Sequence, residues 1–482
     1  MKRWIALAAC LMTVAACQDG AEPMGPSAQS ALPASLLGLN PAVRMDPVLT
    51  SLLNLSSPTD KLQVVVSYDE AVTSSGTISQ ALAGSGASIL RFKHLPMVFA
   101  VATPSQIAAV TAQPGVTSVF SNKQLEYFLA QSVPSINGQL AHAAGYKGTG
   151  VGIAILDSGV DGAYNPDLQH PTRTVQNVKL LADAGDIVTT GNGLPQTAGA
   201  LYVENVGSSE TSSGHGTHVA GIAAGDGTAS GAKYVGVAPG ANLIGLGAGE
   251  ALFVLWALAG FDWILDNHAQ YNIQVVNNSW GASGGDFDPA EPINIATKKL
   301  YDRGIAVVFA AGNDGPDENV LNPYSAAPWV FSVAAGCKTV TPDPTNGAWQ
   351  CAGGVLADFS SRGRRHDPMY HPDITAPGVN VVSTRSVFGV VVGGTAVPAD
   401  LLDCAISQNH LAYYMCIGGT SMAAPHVTGT IALMEQAAKG RLTPDQAYAA
   451  LRRTARPLVG YSGFEVGAGY LDAHAAVRHV RR

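Results

Sequence analysis

Apolar and polar positions follow two different patterns along this chain, and the change between them marks two folded units. Between residues 61 and 122, KLQVVVSYDE reads as a strand, ISQALAGSG as a helix, and ASILRFKHL and MVFAVAT as strands. TPSQIAAVTAQ follows as a helix capped by Thr103, and VTSVFSN closes the series as a strand. Strand, helix, strand, strand, helix, strand is the ferredoxin-like order, so a small α+β domain is expected here. Beyond an irregular joint, EYFLAQSVPSINGQLAHAAGYKGTG, the apolar runs become continuous. VGIAILDSG, ANLIGLGAG, IQVVNNSWG and IAVVFAAGN read as buried strands; HVAGIAAG, ALFVLWALAGFDWILDNH and the stretch from Ile293 to Arg303 read as helices. Such alternation predicts a doubly wound α/β domain with a mostly parallel sheet, whose active site belongs at the carboxyl ends of its strands.

The ends of the chain carry other signals. Lys2 and Arg3 precede an apolar run, WIALAACLMTVAAC, too short to remain as a membrane span. It closes in Val14-Ala15-Ala16-Cys17, which resembles the lipobox of bacterial lipoproteins, with Cys17 the lipidated residue. An ordinary secretory signal is the alternative, and either one exports the chain. Residues 18–60, rich in Pro, Ser, Ala and Gly, read as a tether with one short helix from Pro47 to Leu55. The division expected is therefore 1–17 export signal, 18–60 tether, 61–129 small domain and 130–482 α/β domain. No carboxyl-terminal binding module is expected after GAGYLDAHAAV.

Composition narrows the partners. A net charge of −8, a pI near 5.8 and the lack of a basic stripe exclude nucleic acid as a principal partner. Cys337, Cys351, Cys404 and Cys416 form no C-x-x-C pair, which disfavours zinc. In an exported chain, local disulfides Cys337–Cys351 and Cys404–Cys416 are expected, with other pairings open.

Three reactive side chains stand at the ends of regular elements. Asp157 ends the strand VGIAIL, His215 opens the helix in GHGTHVAG, and Ser421 begins the helix in GTSMAAPHV. A serine hydroxyl needs a base within hydrogen-bond reach and a carboxylate to orient that base, and the chain supplies one of each. His215 and His218 lack a third ligand for a metal, and the glycines of GTGVGIAI precede a strand where a dinucleotide loop would follow one.

ILDSGVDG, SGHGTHVAG and GTSMAAPHV resemble, in type and order, the signature motifs of the subtilases, the subtilisin-like serine proteases. VVFAAGNDG resembles the segment that carries their oxyanion-hole asparagine, here Asn313. The resemblance spans roughly Ala130 to Val477. It implies Ser421 as nucleophile, His215 as general base and then acid, Asp157 as the group orienting the imidazole, and Asn313 with the Ser421 N–H as oxyanion donors. An extended peptide is then expected between Gly247 to Gly249 and Ser279-Trp280-Gly281, with Ala310 to Gly312 lining the pocket before the cut. Trp280 could equally belong to the core. By the same resemblance the small domain is an inhibitory propeptide, cut by the enzyme itself between Leu129 and Ala130. Chemistry needs no cofactor; a structural calcium is left open at Gln131 and Asp167, with a surface glutamine and a turn aspartate as the alternative. The reading is an exported, monomeric serine endopeptidase acting on proteins or peptides, touching a membrane only through a lipid anchor before processing. Its rivals are a narrow processing protease, a peptide ligase on the same scaffold, and an inactive binding protein.

Overall fold

The structure is a computed structural model that describes residues 39–83, 86–122, 126–127 (backbone only), 132–180, 202–249, 253–337, 356–387, 400, 404–439 and 442–481. Cys17, Leu129, Ala130, Gln131 and Cys351 lie outside the described residues. None of the described helices is long and apolar enough to cross a membrane.

The first unit comprises β1 (Arg44–Met45), a helix Pro47–Leu55, β2 (Leu62–Tyr68), a helix Ser75–Ala83, β3 (Ser88–Arg91), β4 (Met97–Ala102), a helix Pro104–Thr111 and β5 (Val116–Ser121). Its sheet runs β1-β5-β2-β4-β3, antiparallel except for the β1–β5 pair. Thr103 caps its helix in a capping box with Gln106, as the local sequence suggests. The tether expected over residues 18–60 does not extend through residues 39–60, which are folded. Asp46 is the reason: Oδ1 accepts the Leu49 N–H at 2.9 Å as an N-cap, and Oδ2 accepts the Ser121 hydroxyl at 2.6 Å, tying this segment to β5.

The second unit is built on β7 (Gly152–Asp157), β8 (Thr174–Leu180), β9 (Tyr202–Val203), β10 (Asn242–Gly247), β11 (Ile273–Asn278), β13 (Ala306–Ala310), β14 (Phe331–Gly336) and β15 (Ile374–Pro377). Their order is β15-β14-β13-β11-β7-β10-β8-β9, and every pair is parallel except β8–β9. Because successive strand residues face opposite sides, Ile153, Ile155, Val275 and Val308 pack with Val219, Met422 and Ile431. Ala154, Leu156, Val276 and Val307 pack with Leu255, Ile264 and Ile293 on the other side. A helix His215–Ala224 and a helix Thr420–Ala437 thus cover one face; helices Val254–Asn267 and Pro292–Asp302 cover the other. This is the doubly wound, mostly parallel α/β fold.

The two units share a core. Leu90, Phe92, Met97 and Phe99 join the apolar cluster of Trp256 and Leu258. Asp262 accepts the backbone N–H groups of Lys93 and His94 at 2.8 and 2.6 Å, and Asn122 Oδ1 accepts the Leu255 N–H at the start of helix Val254–Asn267. Two short pairs complete the topology: β6 (Glu126–Tyr127) against β12 (Trp280–Gly281), and β16 (Val381–Thr384) against β17 (Tyr414–Ile417), both antiparallel.

Two histidines are enclosed by this packing. Burial drives His218 down from 6.5 to about 3 and His426 to about 4. Both rings stay neutral in the folded chain, while the unfolded chain takes up protons below about pH 6.5. Stability is therefore lost as pH falls from about 6.5 toward 4, on the order of 3 kcal/mol per ring. Urea midpoints are expected to drop steadily from pH 7 to pH 4.5. A midpoint constant over that range would contradict this assignment.

Candidate active site

Asp157, the last residue of β7, is wholly buried at the carboxyl end of the sheet. Its Oδ1 accepts the Ser158 N–H at 2.8 Å and lies 2.6 Å from His215 Nδ1. A carboxylate can only accept, so Nδ1 carries the shared hydrogen and Nε2 is the basic nitrogen of the ring. The histidine helix is pinned at its first turn: the Gly216 N–H donates to Ser158 Oγ at 2.8 Å, and that hydroxyl donates to buried Glu210 at 2.6 Å. The loop after Asp157 therefore sets the position of His215 as well.

Ser421 is the second residue of helix Thr420–Ala437. Gly419 precedes that helix at φ 155°, a conformation that residues with side chains rarely adopt. Pro425 has no N–H, so the carbonyl of Ser421 loses its partner four residues on. Ser279 supplies one. Its hydroxyl donates to the Ser421 carbonyl at 2.5 Å, and its own carbonyl accepts the Ser421 hydroxyl at 2.8 Å. Asn277 donates to Ser279 Oγ at 2.8 Å, and Thr428 donates to Asn277 at 2.9 Å, so the Ser279 side chain is itself held in place.

Asn313 lies three residues beyond β13, facing the same helix end. Its Oδ1 accepts both the backbone N–H and the hydroxyl of Thr420, each at 2.9 Å. A backbone N–H can only donate, which fixes the amide with its oxygen toward the helix and its NH₂ group available for another acceptor. Thr420 also accepts the Gly312 N–H at 3.2 Å. The sequence pointed to Asn313 and not to the threonine that orients it.

The residues expected to line a peptide cleft divide in two. Trp280 is core: its ring packs against Phe261, Phe309 and Tyr324, and Nε1 donates to the Leu156 carbonyl at 2.8 Å. Only its backbone, with that of Gly281, offers an edge, and β6 is paired there, Tyr127 opposite Trp280 and Glu126 opposite Gly281. Gly247 has strand neighbours on both sides, Asp157 and Lys179, and so presents no free edge. Gly249 lies beyond the sheet and donates its N–H to Ser158 O at 3.0 Å. Ala310 and Gly312 are joined to the Trp280 side through Asn322, which sequence analysis missed. Its amide donates to the carbonyls of Trp280 at 3.1 Å and Ala310 at 2.9 Å. A side chain at Gly281 would collide with it.

Asp167 does not fit a calcium ligand here. Its Oδ2 accepts the Tyr414 hydroxyl at 2.6 Å and its Oδ1 the Ala229 N–H at 2.7 Å, and burial raises its pKa. Both oxygens already serve protein donors, and among the described residues no cluster of three or more acidic, His or Cys side chains could hold a metal. Cys404 and Cys416 form a disulfide with Cα atoms 6.3 Å apart, and Cys337 is also disulfide-bonded.

Two outcomes follow from this geometry. Ser279→Ala leaves the Ser421 carbonyl buried without a donor, costing about 1–3 kcal/mol. Fluorophosphonate labelling of Ser421 is expected to slow about tenfold or more with the fold intact by circular dichroism; an unchanged rate would contradict the clasp. Tyr414→Phe is expected to lower the thermal midpoint by a few degrees. A midpoint unchanged in Tyr414→Phe would overturn the hydrogen-bonded reading of Asp167.

Similarity to known proteins agrees with this construction. Residues 148–470 match the profile described as the subtilase family. An extracellular protease of Xanthomonas campestris is 30% identical over 68% of this chain, though the match spans 51% of that protein. Serine protease AprX of Bacillus subtilis is 27% identical over 80% of this chain and 81% of its own length. The crystal structure of fervidolysin from Fervidobacterium pennivorans, a keratinolytic enzyme related to subtilisin, shares the fold at a TM-score of 0.59 and 22% identity, over 87% of this chain and 61% of that one. A profile match running from just before β7 to well past the serine helix, over most of the chain, makes this protein a member of the subtilase family, the subtilisin-like serine peptidases.

Proposed function

We propose that the chain is an exported serine endopeptidase made as a self-cleaving precursor. The observation that carries the reading is the 2.6 Å contact of Asp157 with His215, placed at the same sheet rim as Ser421 and Asn313. In this mechanism Ser421 Oγ attacks the peptide carbonyl while its proton passes to His215 Nε2. The imidazolium that forms is stabilised by buried Asp157, then protonates the departing amine. Water repeats the sequence on the acyl-enzyme, with His215 again as base. Negative charge on the carbonyl oxygen is met by the Asn313 amide and the Ser421 N–H, at a helix start whose dipole favours it.

Residues 61–129 act as the propeptide. Support comes from β6, which lies along Trp280–Gly281 as an added strand, as a peptide substrate would. The bond between Leu129 and Ala130 sits within the interval from Tyr127 to Ser132. Export, with lipidation at Cys17 holding the precursor to a membrane, fits the extracellular name of the Xanthomonas relative and the paired cysteines. The substrates are proteins or peptides, met by a monomeric enzyme.

Purified Ser421→Ala is expected to remain full-length and to leave casein intact, whereas the unaltered chain yields a new N-terminus near Ala130 and digests casein. Asn313→Ala is expected to keep the fold and lose about 10²–10³-fold in kcat. A Ser421→Ala protein that matures by itself and digests casein at the normal rate would refute the mechanism.

A further inference from the structure

His426 is the fifth residue after Ser421 on the same helix, about 7.5 Å further along its axis. Its ring is wholly buried and used on both sides. Nδ1 lies 2.7 Å from the Met422 carbonyl, which can only accept, so Nδ1 is protonated and donates. Nε2 is then an acceptor, and it takes the backbone N–H of Ser132 at 2.7 Å. Ser132 holds φ at 152°, a region that residues with a Cβ rarely occupy. Val133 packs on the core and the Ser132 carbonyl accepts the Ser135 hydroxyl at 3.1 Å, while Ser132 and Val133 also border a cavity of about 420 Å³ shared with Ile222, Val382 and His426. The hydrogen bond to His426 is what holds the Ser132 N–H.

On the other side of the junction, Glu126 and Tyr127 are held by Gly281 and Trp280, next to Ser279, whose carbonyl accepts the Ser421 hydroxyl. From Tyr127 to Ser132 the chain makes five steps, at most about 18 Å. We propose that His426 is a positioning residue for self-cleavage: by anchoring the Ser132 N–H it holds the leaving side of the junction, while β12 holds the acyl side. This rests on the self-cleaving reading given above. A peptide substrate supplied from solution has no Ser132 to anchor, so the bond serves cleavage of the chain's own junction and not general turnover. One helix thereby carries both the attacking hydroxyl and the point from which the newly cut end departs.

The test compares two rates in the full chain: appearance of the processed form after refolding, and kcat/KM on a small peptide per titrated active site. His426→Phe keeps the ring shape and removes the acceptor, and His426→Leu removes ring and acceptor together. Both are expected to slow processing tenfold or more while peptide kcat/KM stays within about threefold. His426→Gln, which returns an acceptor near the Nε2 position, and Ser132→Gly, which keeps the N–H, are expected to process within about threefold of the unaltered chain. Unchanged processing in both His426→Phe and His426→Leu, with normal maturation of the unaltered chain, would overturn this inference alone. Equal falls in processing and peptide turnover would assign His426 a purely structural role and overturn it too. An unaltered chain that never cuts itself would overturn the self-cleaving reading and this inference with it.

Discussion

The placement of Ser421 depends on one backbone carbonyl. Pro425 withholds the N–H that would close the first turn over Ser421, and a buried carbonyl without a donor is costly. Ser279 meets it with its hydroxyl and at the same time receives the Ser421 hydroxyl on its own carbonyl. The start of the helix is thus fixed to the segment just beyond β11. The same segment presents Trp280 and Gly281 to β6. Position of Ser421 and position of β6 are therefore one variable. A shift of either serine would disturb both.

The parallel sheet explains why the other groups arrive at the same place. Strands of one direction end on one rim, so the residue that ends β7 and those just beyond β11 and β13 come together without any nearness in sequence. Asp157, Ser279 and Asn313 are those residues. Small side chains around them let the two helices of this face sit close: Gly216 fits against Asp157 and Gly159, and the serine helix packs on the histidine helix. The Asn322 bridge does for the cleft what Ser279 does for Ser421. It ties the carbonyls of Trp280 and Ala310, beyond the last paired residues of β11 and β13.

Much of this was legible in the sequence because it is local. Strand boundaries, the capped helix at Thr103 and the motifs around Asp157, His215 and Ser421 each occupy a few consecutive residues whose pattern has a direct physical meaning. What stayed hidden is long-range pairing of polar groups. Pro425 announces an orphan carbonyl at Ser421, but nothing in the sequence names Ser279 as its partner. Thr420 sits inside the motif, yet its hold on Asn313 appears only when both are placed. Trp280 was legible as a segment and ambiguous as a side chain, since edge backbone and buried ring occur in the same residue. Asp167 drew attention as a calcium ligand, and its actual donor, Tyr414, is 247 positions away. Residues 39–60 read as a tether with one short helix, Pro47–Leu55; the helix is there, and Asp46, which caps it, also ties it to β5 through Ser121.

The central claim is that Asp157, His215 and Ser421 act as one proton-transferring unit. Reaction with a fluorophosphonate followed by peptide mapping tests it most directly. One adduct per chain is expected, on Ser421, with a labelling rate that falls about a thousandfold or more in His215→Ala. An adduct on any other residue, or a rate indifferent to loss of the imidazole, would contradict it.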